Sequence, residues 1–137
     1  MKILGRHLIA ELSDCNPEVL NSVELLEQYL KEAVRLSGAT LVRSVFHRYT
    51  PQGVSGVAVI AESHLSIHTW PEYAYAAVDF FTCGEKVDPY KAFDYIKDKL
   101  EAQNAQQREI KRGIPSQADE VLDHKPARPS SAAVSVR

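Results

Sequence analysis

Apolar and polar residues alternate over residues 3–12. Leu4, Leu8, Ala10 and Leu12 share one face, and His7 and Glu11 fall on the other, which is the period of a half-buried strand. The period then changes. Asn16-Pro17 reads as an N-cap followed by proline at the first helical position, and Val19, Val23, Leu26, Leu30 and Ala33 form one apolar helical stripe that Gly38 stops. Leu41 to Tyr49 predicts a second strand, with Leu41, Val45 and Tyr49 on one face. Pro51-Gln52-Gly53 predicts a turn, and Val54 to Ala61 a third strand rich in β-branched residues. Leu65 to Trp70 continues in extended form until Pro71 interrupts the ladder. Tyr73 to Cys83 predicts the longest strand, ended by Gly84. Asp88-Pro89 opens a second helix whose Phe93, Ile96 and Leu100 face the core, and Glu109 to Ile114 suits a short last strand. Residues 116–137 are Ser, Ala, Pro and charge without periodicity, the composition of a disordered tail.

These elements predict an α+β domain: a four-stranded antiparallel sheet with two helices on one face. The other face carries Ser55 with Val57 and Val59, and Asp79 with Phe81 and Cys83. A half-apolar, half-reactive face needs a partner layer, and the simplest is a second copy, with the sheets packed in a homodimer.

Length and charge narrow the function classes. The 137 residues suit one domain, and a net charge of −2 favours neither nucleic acid nor an anionic membrane as partner. Apolar runs such as Val57 to Ala61 are far too short to span a bilayer. Arg6, His7 and Glu11 interrupt any signal-peptide core at the N-terminus, so the expected location is cytoplasmic. Cys15 and Cys83 cannot build a disulfide framework, and their spacing is not that of a metal-ligand pair.

Reactive side chains concentrate in ESHLSIHTWPEY, Glu62 to Tyr73, which holds the chain's one tryptophan. His64 and His68 are four apart, but on a strand that is about 13 Å at roughly 3.3 Å per residue, too far for one ion. The glutamate precedes the first histidine, so HExxH is absent and no metal is expected. Ser63 lacks the G-x-S-x-G elbow of a hydrolase nucleophile. Two readings remain from the residues alone. The histidines are hydrogen-bonded structural groups beside a turn serine, or Ser63 attacks the carbonyl of Glu62. In the second case an N→O acyl shift, β-elimination and hydrolysis would cut the chain into 1–62 and 63–137 and leave a pyruvoyl ketone at residue 63. Such a ketone forms a Schiff base with a substrate amine and accepts electrons when carbon dioxide leaves.

The run ESHLSIHTWPEYAYAAVDFFTCG, Glu62 to Gly84, closely resembles the processing site and core of the small bacterial and archaeal S-adenosylmethionine decarboxylases. GRHLIAEL, GVSGVAVIAES and the late RGIP resemble that family too, so the likeness covers roughly residues 3–115 and the domain is expected over 1–115. The resemblance implies that Ser63 is the pyruvoyl precursor and Schiff-base residue, that Glu62-Ser63 is the cleaved bond, and that His68 accepts the Ser63 α-proton during processing. It implies that Ser55 supports processing by hydrogen bonding. It implies that Cys83 is the proton donor in decarboxylation, a role that suits an ordinary thiol of pKa about 8.5. Tyr49, Leu65, Trp70 and Glu72 are implied to bind the substrate, Tyr49 by stacking on adenine and Glu72 by accepting hydrogen bonds from the ribose. The family also implies an active site formed between two protomers, each a cleaved αβ unit. The implied partner is S-adenosyl-L-methionine, and the product serves spermidine synthesis. Rivals are a pyruvoyl-dependent arginine or ornithine decarboxylase and a non-catalytic dimeric binding domain. Strict alternation puts Ser63 and His68 on opposite faces, so a bulge or turn is expected between Ser63 and Leu65.

Overall fold

The computed structural model describes residues 3–114; the tail expected over 116–137 lies outside the described residues. The elements are β1 (Gly5–Ser13), α1 (Pro17–Leu20), α2 (Val23–Ser37), β2 (Thr40–Arg48), β3 (Val54–Ala61), β4 (Ser63–Trp70), a 3-10 turn (Pro71–Tyr73), β5 (Tyr75–Cys83), α3 (Pro89–Lys99) and β6 (Asn104–Arg112). All strand pairs are antiparallel, in the order β2-β3-β4-β5-β1-β6.

The sheet therefore has six strands and not four. Residues 63–70 do not prolong β3 but turn back beside it, pairing with β3 on one side and β5 on the other. The last strand starts at Asn104, five residues before the expected Glu109, and pairs with β1 along its whole length. Every residue of β6 is exposed, so it lacks the alternation that marks a half-buried strand and carries the charges typical of a sheet edge.

The first expected helix is two. Asn16 caps α1, its side chain accepting from Glu18 N, and α1 ends at Asn21. Ser22 caps α2, its hydroxyl accepting from Leu25 N, and Gly38 closes α2 at φ 88°. Asn21 Oδ1 accepts from Gly53 N at 3.0 Å, which ties this break to the β2–β3 turn. Asp88 caps α3 by accepting from Tyr90 N.

Leu8, Ala10 and Leu12 of β1, Ala58 and Ile60 of β3, Leu65 and Ile67 of β4 and Val78 and Phe80 of β5 form one core with Leu26, Leu30 and Val34 of α2 and Phe93 and Ile96 of α3. Burying that apolar face is the driving force that holds helices to sheet. One expectation about faces changes. A register shift between Leu41 and Arg43 places Leu41 opposite Ile60 and Val45 opposite Val57, so the two leave the common face that strict alternation gives them. The face away from the helices is open, as the alternation predicts. It presents Val57 and Val59, His64 and His68, Asp79, Phe81 and Cys83.

Candidate active site

At the junction of β3 and β4 the chain reverses within one residue, Glu62. The Ala61–Glu62 peptide is cis, and Ser63 has φ 118°. That φ lies where side-chain-bearing residues are rare, and such strain collects at functional sites. Both β4 ladders run without a register shift from Ser63 onward, so the turn falls at Glu62, just before the expected 63–65 interval. From Leu65 onward β4 is regular: Leu65, Ile67 and Thr69 enter the core, and His68 and Trp70 reach the open side. Ser63 pairs with Ile60 on one side and Thr82 on the other, so it stands next to Cys83, which alternation places on the open face.

A second group of predicted residues gathers at the other end of the sheet. Tyr49, Ser55, His68, Trp70 and Glu72 line one cleft of about 280 Å³ together with Gln52, Gly53 and Thr69. Ser55 and His68 face each other in the β3–β4 ladder, and Ser55 Oγ is hydrogen-bonded to His68 Nδ1 at 2.7 Å. When Nδ1–H donates to the hydroxyl, Nε2 keeps its lone pair and can take a proton. Trp70 packs its ring against Tyr75, centroids 5.4 Å apart, and Tyr49 meets His47 edge-on at 4.7 Å. Both keep surface for a ligand, Trp70 at 40% and Tyr49 at 48% exposure. Pro71 ends β4, and the 3-10 turn that follows sets the exposed Glu72 beside Trp70.

The two groups do not meet within one chain. Ser63 and His68 are five residues apart on a single strand, which is about 16 Å at roughly 3.3 Å per residue. Leu65 is wholly buried in the core, so only its backbone can serve a substrate. Cys15 is buried too, and burial, with Asp14 nearby, pushes its thiol up to about 11, which keeps it protonated as a core residue.

Between the two groups lies a network that sequence reasoning missed. Asp79, central in β5, accepts hydrogen bonds on Oδ2 from His7 Nε2 at 2.7 Å and His64 Nε2 at 2.8 Å, while Ser66 Oγ donates to Oδ1. Arg112 Nη1 lies 3.4 Å from His7 Nδ1. Alternation already placed His7 and Asp79 on the open side; what it lacked was the register that brings β1, β5 and His64 of β4 together. The donor atoms of His7, His64 and Asp79 lie within 4.8 Å of one another, so these are the described residues that could hold a divalent ion.

Burial alone would raise the Asp79 carboxyl, but the hydrogen bonds from Ser66, His7 and His64 outweigh it and hold the group below the ordinary carboxylate range. A depressed folded value contributes stability that is fully present above the unfolded value and is lost as pH falls through the folded one. Wild type should therefore exceed Asp79→Asn in melting temperature near neutral pH. That difference should close as pH drops below about 4. Paired thermal melts across this range check it; a constant gap would remove Asp79 from the acid transition.

The sequence pattern of the S-adenosylmethionine decarboxylase family matches residues 6–113. The chain is 60% identical over 113 residues to the S-adenosylmethionine decarboxylase proenzyme of Thermotoga petrophila, covering 82% of this chain and 87% of that one. It is 62% identical over the same length to the proenzyme of Thermosipho melanesiensis, with the same coverage. The crystal structure of the adenosylmethionine decarboxylase of Aquifex aeolicus superposes with a TM-score of 0.80 at 35% identity, over 90% of this chain and 100% of that one. By sequence pattern, by relatives along most of its length and by fold, the chain belongs to the S-adenosylmethionine decarboxylase family.

Proposed function

We propose that Ser63 is the residue from which this enzyme builds its pyruvoyl group, by self-cleavage between Glu62 and Ser63. One observation carries the assignment. Of the four described non-glycine residues with positive φ (Asp14, Ser63, Ala74 and Glu101), only Ser63 bears a hydroxyl, and it opens the strand that follows the tightest reversal of the sheet. The chain is a pyruvoyl-dependent S-adenosylmethionine decarboxylase that makes the aminopropyl donor for polyamine synthesis. Its pyruvoyl group supplies a ketone that takes up the substrate amine and draws off the electron pair as carbon dioxide leaves.

The chain's own residues then have separate tasks. Ser63 Oγ attacks the Glu62 carbonyl. His68, its ring held by Ser55, removes the Ser63 α-proton so that the chain parts. Cys83, beside residue 63 across the ladder, returns a proton to the substrate's α-carbon. Tyr49 and Trp70 hold the adenine, the Leu65 backbone lines the same site, and Glu72 accepts hydrogen bonds from the ribose.

The working unit in this reading is a homodimer of cleaved units, packed open face to open face. Val45, Val59 and Ile110 expose apolar surface there at 58%, 42% and 46%. The separation of Ser63 from His68 gives the stronger support. A two-fold partner would lay its His68 end against the Ser63 end of the first subunit, and each site would draw on both chains. A cytoplasmic location fits this reading, and no helix among the described residues is long and apolar enough to cross a membrane.

Glu72 tests the substrate side. Glu72→Gln keeps the shape but loses the charged acceptor. It should reduce kcat/KM for S-adenosylmethionine about tenfold or more, near 1.4 kcal/mol per tenfold, while self-cleavage continues normally. Carbon dioxide release from labelled S-adenosylmethionine, arginine and ornithine measures this. Unchanged turnover of S-adenosylmethionine in the variant would take Glu72 out of the pocket.

A further inference from the structure

Thr82 stands directly opposite Ser63 in the β4–β5 ladder. It is 1% exposed, and its Oγ1 is the buried side-chain polar atom left without a hydrogen-bond partner among the described residues. A branched side chain belongs on a strand, but valine would give the same packing without a stranded hydroxyl. Thr69, buried to a similar degree, shows the ordinary outcome: its Oγ1 donates to the Leu20 carbonyl and accepts from Val54 N. Buried polar atoms are paired as a rule, and an exception asks for a reason. Directly opposed residues in an antiparallel ladder hold their Cα atoms about 4.5–5.5 Å apart. The stranded hydroxyl therefore lies beside residue 63, and the positive φ there takes Ser63 out of the regular pleat.

We propose that Thr82 is a catalytic residue of the self-cleavage, its hydroxyl donating a hydrogen bond to the Glu62 carbonyl oxygen as that oxygen gains negative charge. The proposal rests on the assignment of Ser63 as the attacking residue. In the step concerned, Ser63 Oγ bonds to the Glu62 carbonyl carbon and the carbonyl oxygen becomes anionic. The carbonyl then re-forms, the carbon–nitrogen bond breaks, and the hydroxyl proton passes to the nitrogen, leaving an ester and a free amine. No oxidant, reductant or second reactant is consumed. A donor already in place and shielded from water stabilises such an anion without reorganisation, and it has no partner to give up. The donor left unpaired in the resting chain is then the one that the transition state uses.

The test uses the full chain and follows cleavage on denaturing gels and by intact mass. Thr82→Val should self-cleave about 10²–10³-fold more slowly, the usual effect of removing one such donor. Thr82→Ser, which keeps the hydroxyl, should cleave within a few-fold of wild type. A merely structural role makes a different forecast, so stability is measured on the Ser63→Ala background, where every chain stays whole. There Thr82→Val should melt at or above the Thr82 form, because a buried unpaired group is gone. Cleavage of Thr82→Val at the wild-type rate overturns the proposal. So does slow cleavage joined to a clearly lower melting temperature. If wild type itself is not cut between Glu62 and Ser63, the Ser63 assignment fails; if wild type is cut and Thr82→Val matches it, only the role of Thr82 fails.

Discussion

Ser63→Ala is expected to leave the chain whole and to abolish decarboxylation. Alanine removes the only atom that can attack the Glu62 carbonyl and leaves no hydroxyl to be eliminated, so neither the cut nor the ketone can form. The loss should be complete rather than graded, because the ketone is what makes decarboxylation possible at all. Ordinary mutations near an active site remove a fraction of transition-state binding; this one removes the reagent. Intact-mass measurement of wild type should find residues 1–62 and 63–137 as separate chains, and the variant as one. A whole wild-type chain that still released carbon dioxide would end the pyruvoyl reading.

His68→Ala carries the second large effect. Loss of a positioned base slows its proton transfer by about 10²–10⁴-fold, so processing should stall after the ester has formed. An ester is open to direct attack, and added hydroxylamine should cut the stalled chain between Glu62 and Ser63. The same variant tests which subunit supplies the base. In mixed dimers of His68→Ala and Ser63→Ala chains, the first offers an intact Ser63 and the second an intact His68. If the base acts across the interface, the His68→Ala chain should be cut in the mixture and remain whole alone. Mass spectrometry identifies the cut chain by its substitution. Absence of cleavage in verified mixed dimers would place base and serine in one subunit and require β4 to rearrange.

Much of this was legible before any coordinates. The two faces of the sheet follow from alternation in β1, β3 and β5, because a strand buried on one side only must alternate. The caps at Asn16, Asp88 and Gly38 follow from residue chemistry. The reversal at Glu62 was not legible, because it uses no glycine or proline, and apolar residues on both sides make 54–70 read as one extended run. The first half of the edge strand β6, residues 104–108, was hidden for the opposite reason: an exposed strand has no buried face to impose a period. At the site, the motif picked out Ser63, His68 and Cys83 by their companions. The Asp79 network and the hydroxyl of Thr82 needed the register, since both are defined by what stands across the ladder and not by what adjoins in sequence.

The strand order gives maturation a direction. With the proposed cut between Glu62 and Ser63, β1, β2 and β3 fall in the segment before it, and β4, β5 and β6 in the segment after it. In the sheet they run β2-β3, then β4-β5, then β1, then β6, so the two fragments are braided. Three ladders, β3 with β4, β5 with β1 and β1 with β6, join one fragment to the other. The precursor threads this braid as a single chain, where closing each loop is an intramolecular event. Once cut, the same braid must be rebuilt from two separate molecules, which meet only as fast as their concentration allows. Cleavage is thus a ratchet. It leaves the folded enzyme interlocked and removes the covalent continuity by which it first assembled, so each molecule is built to mature once.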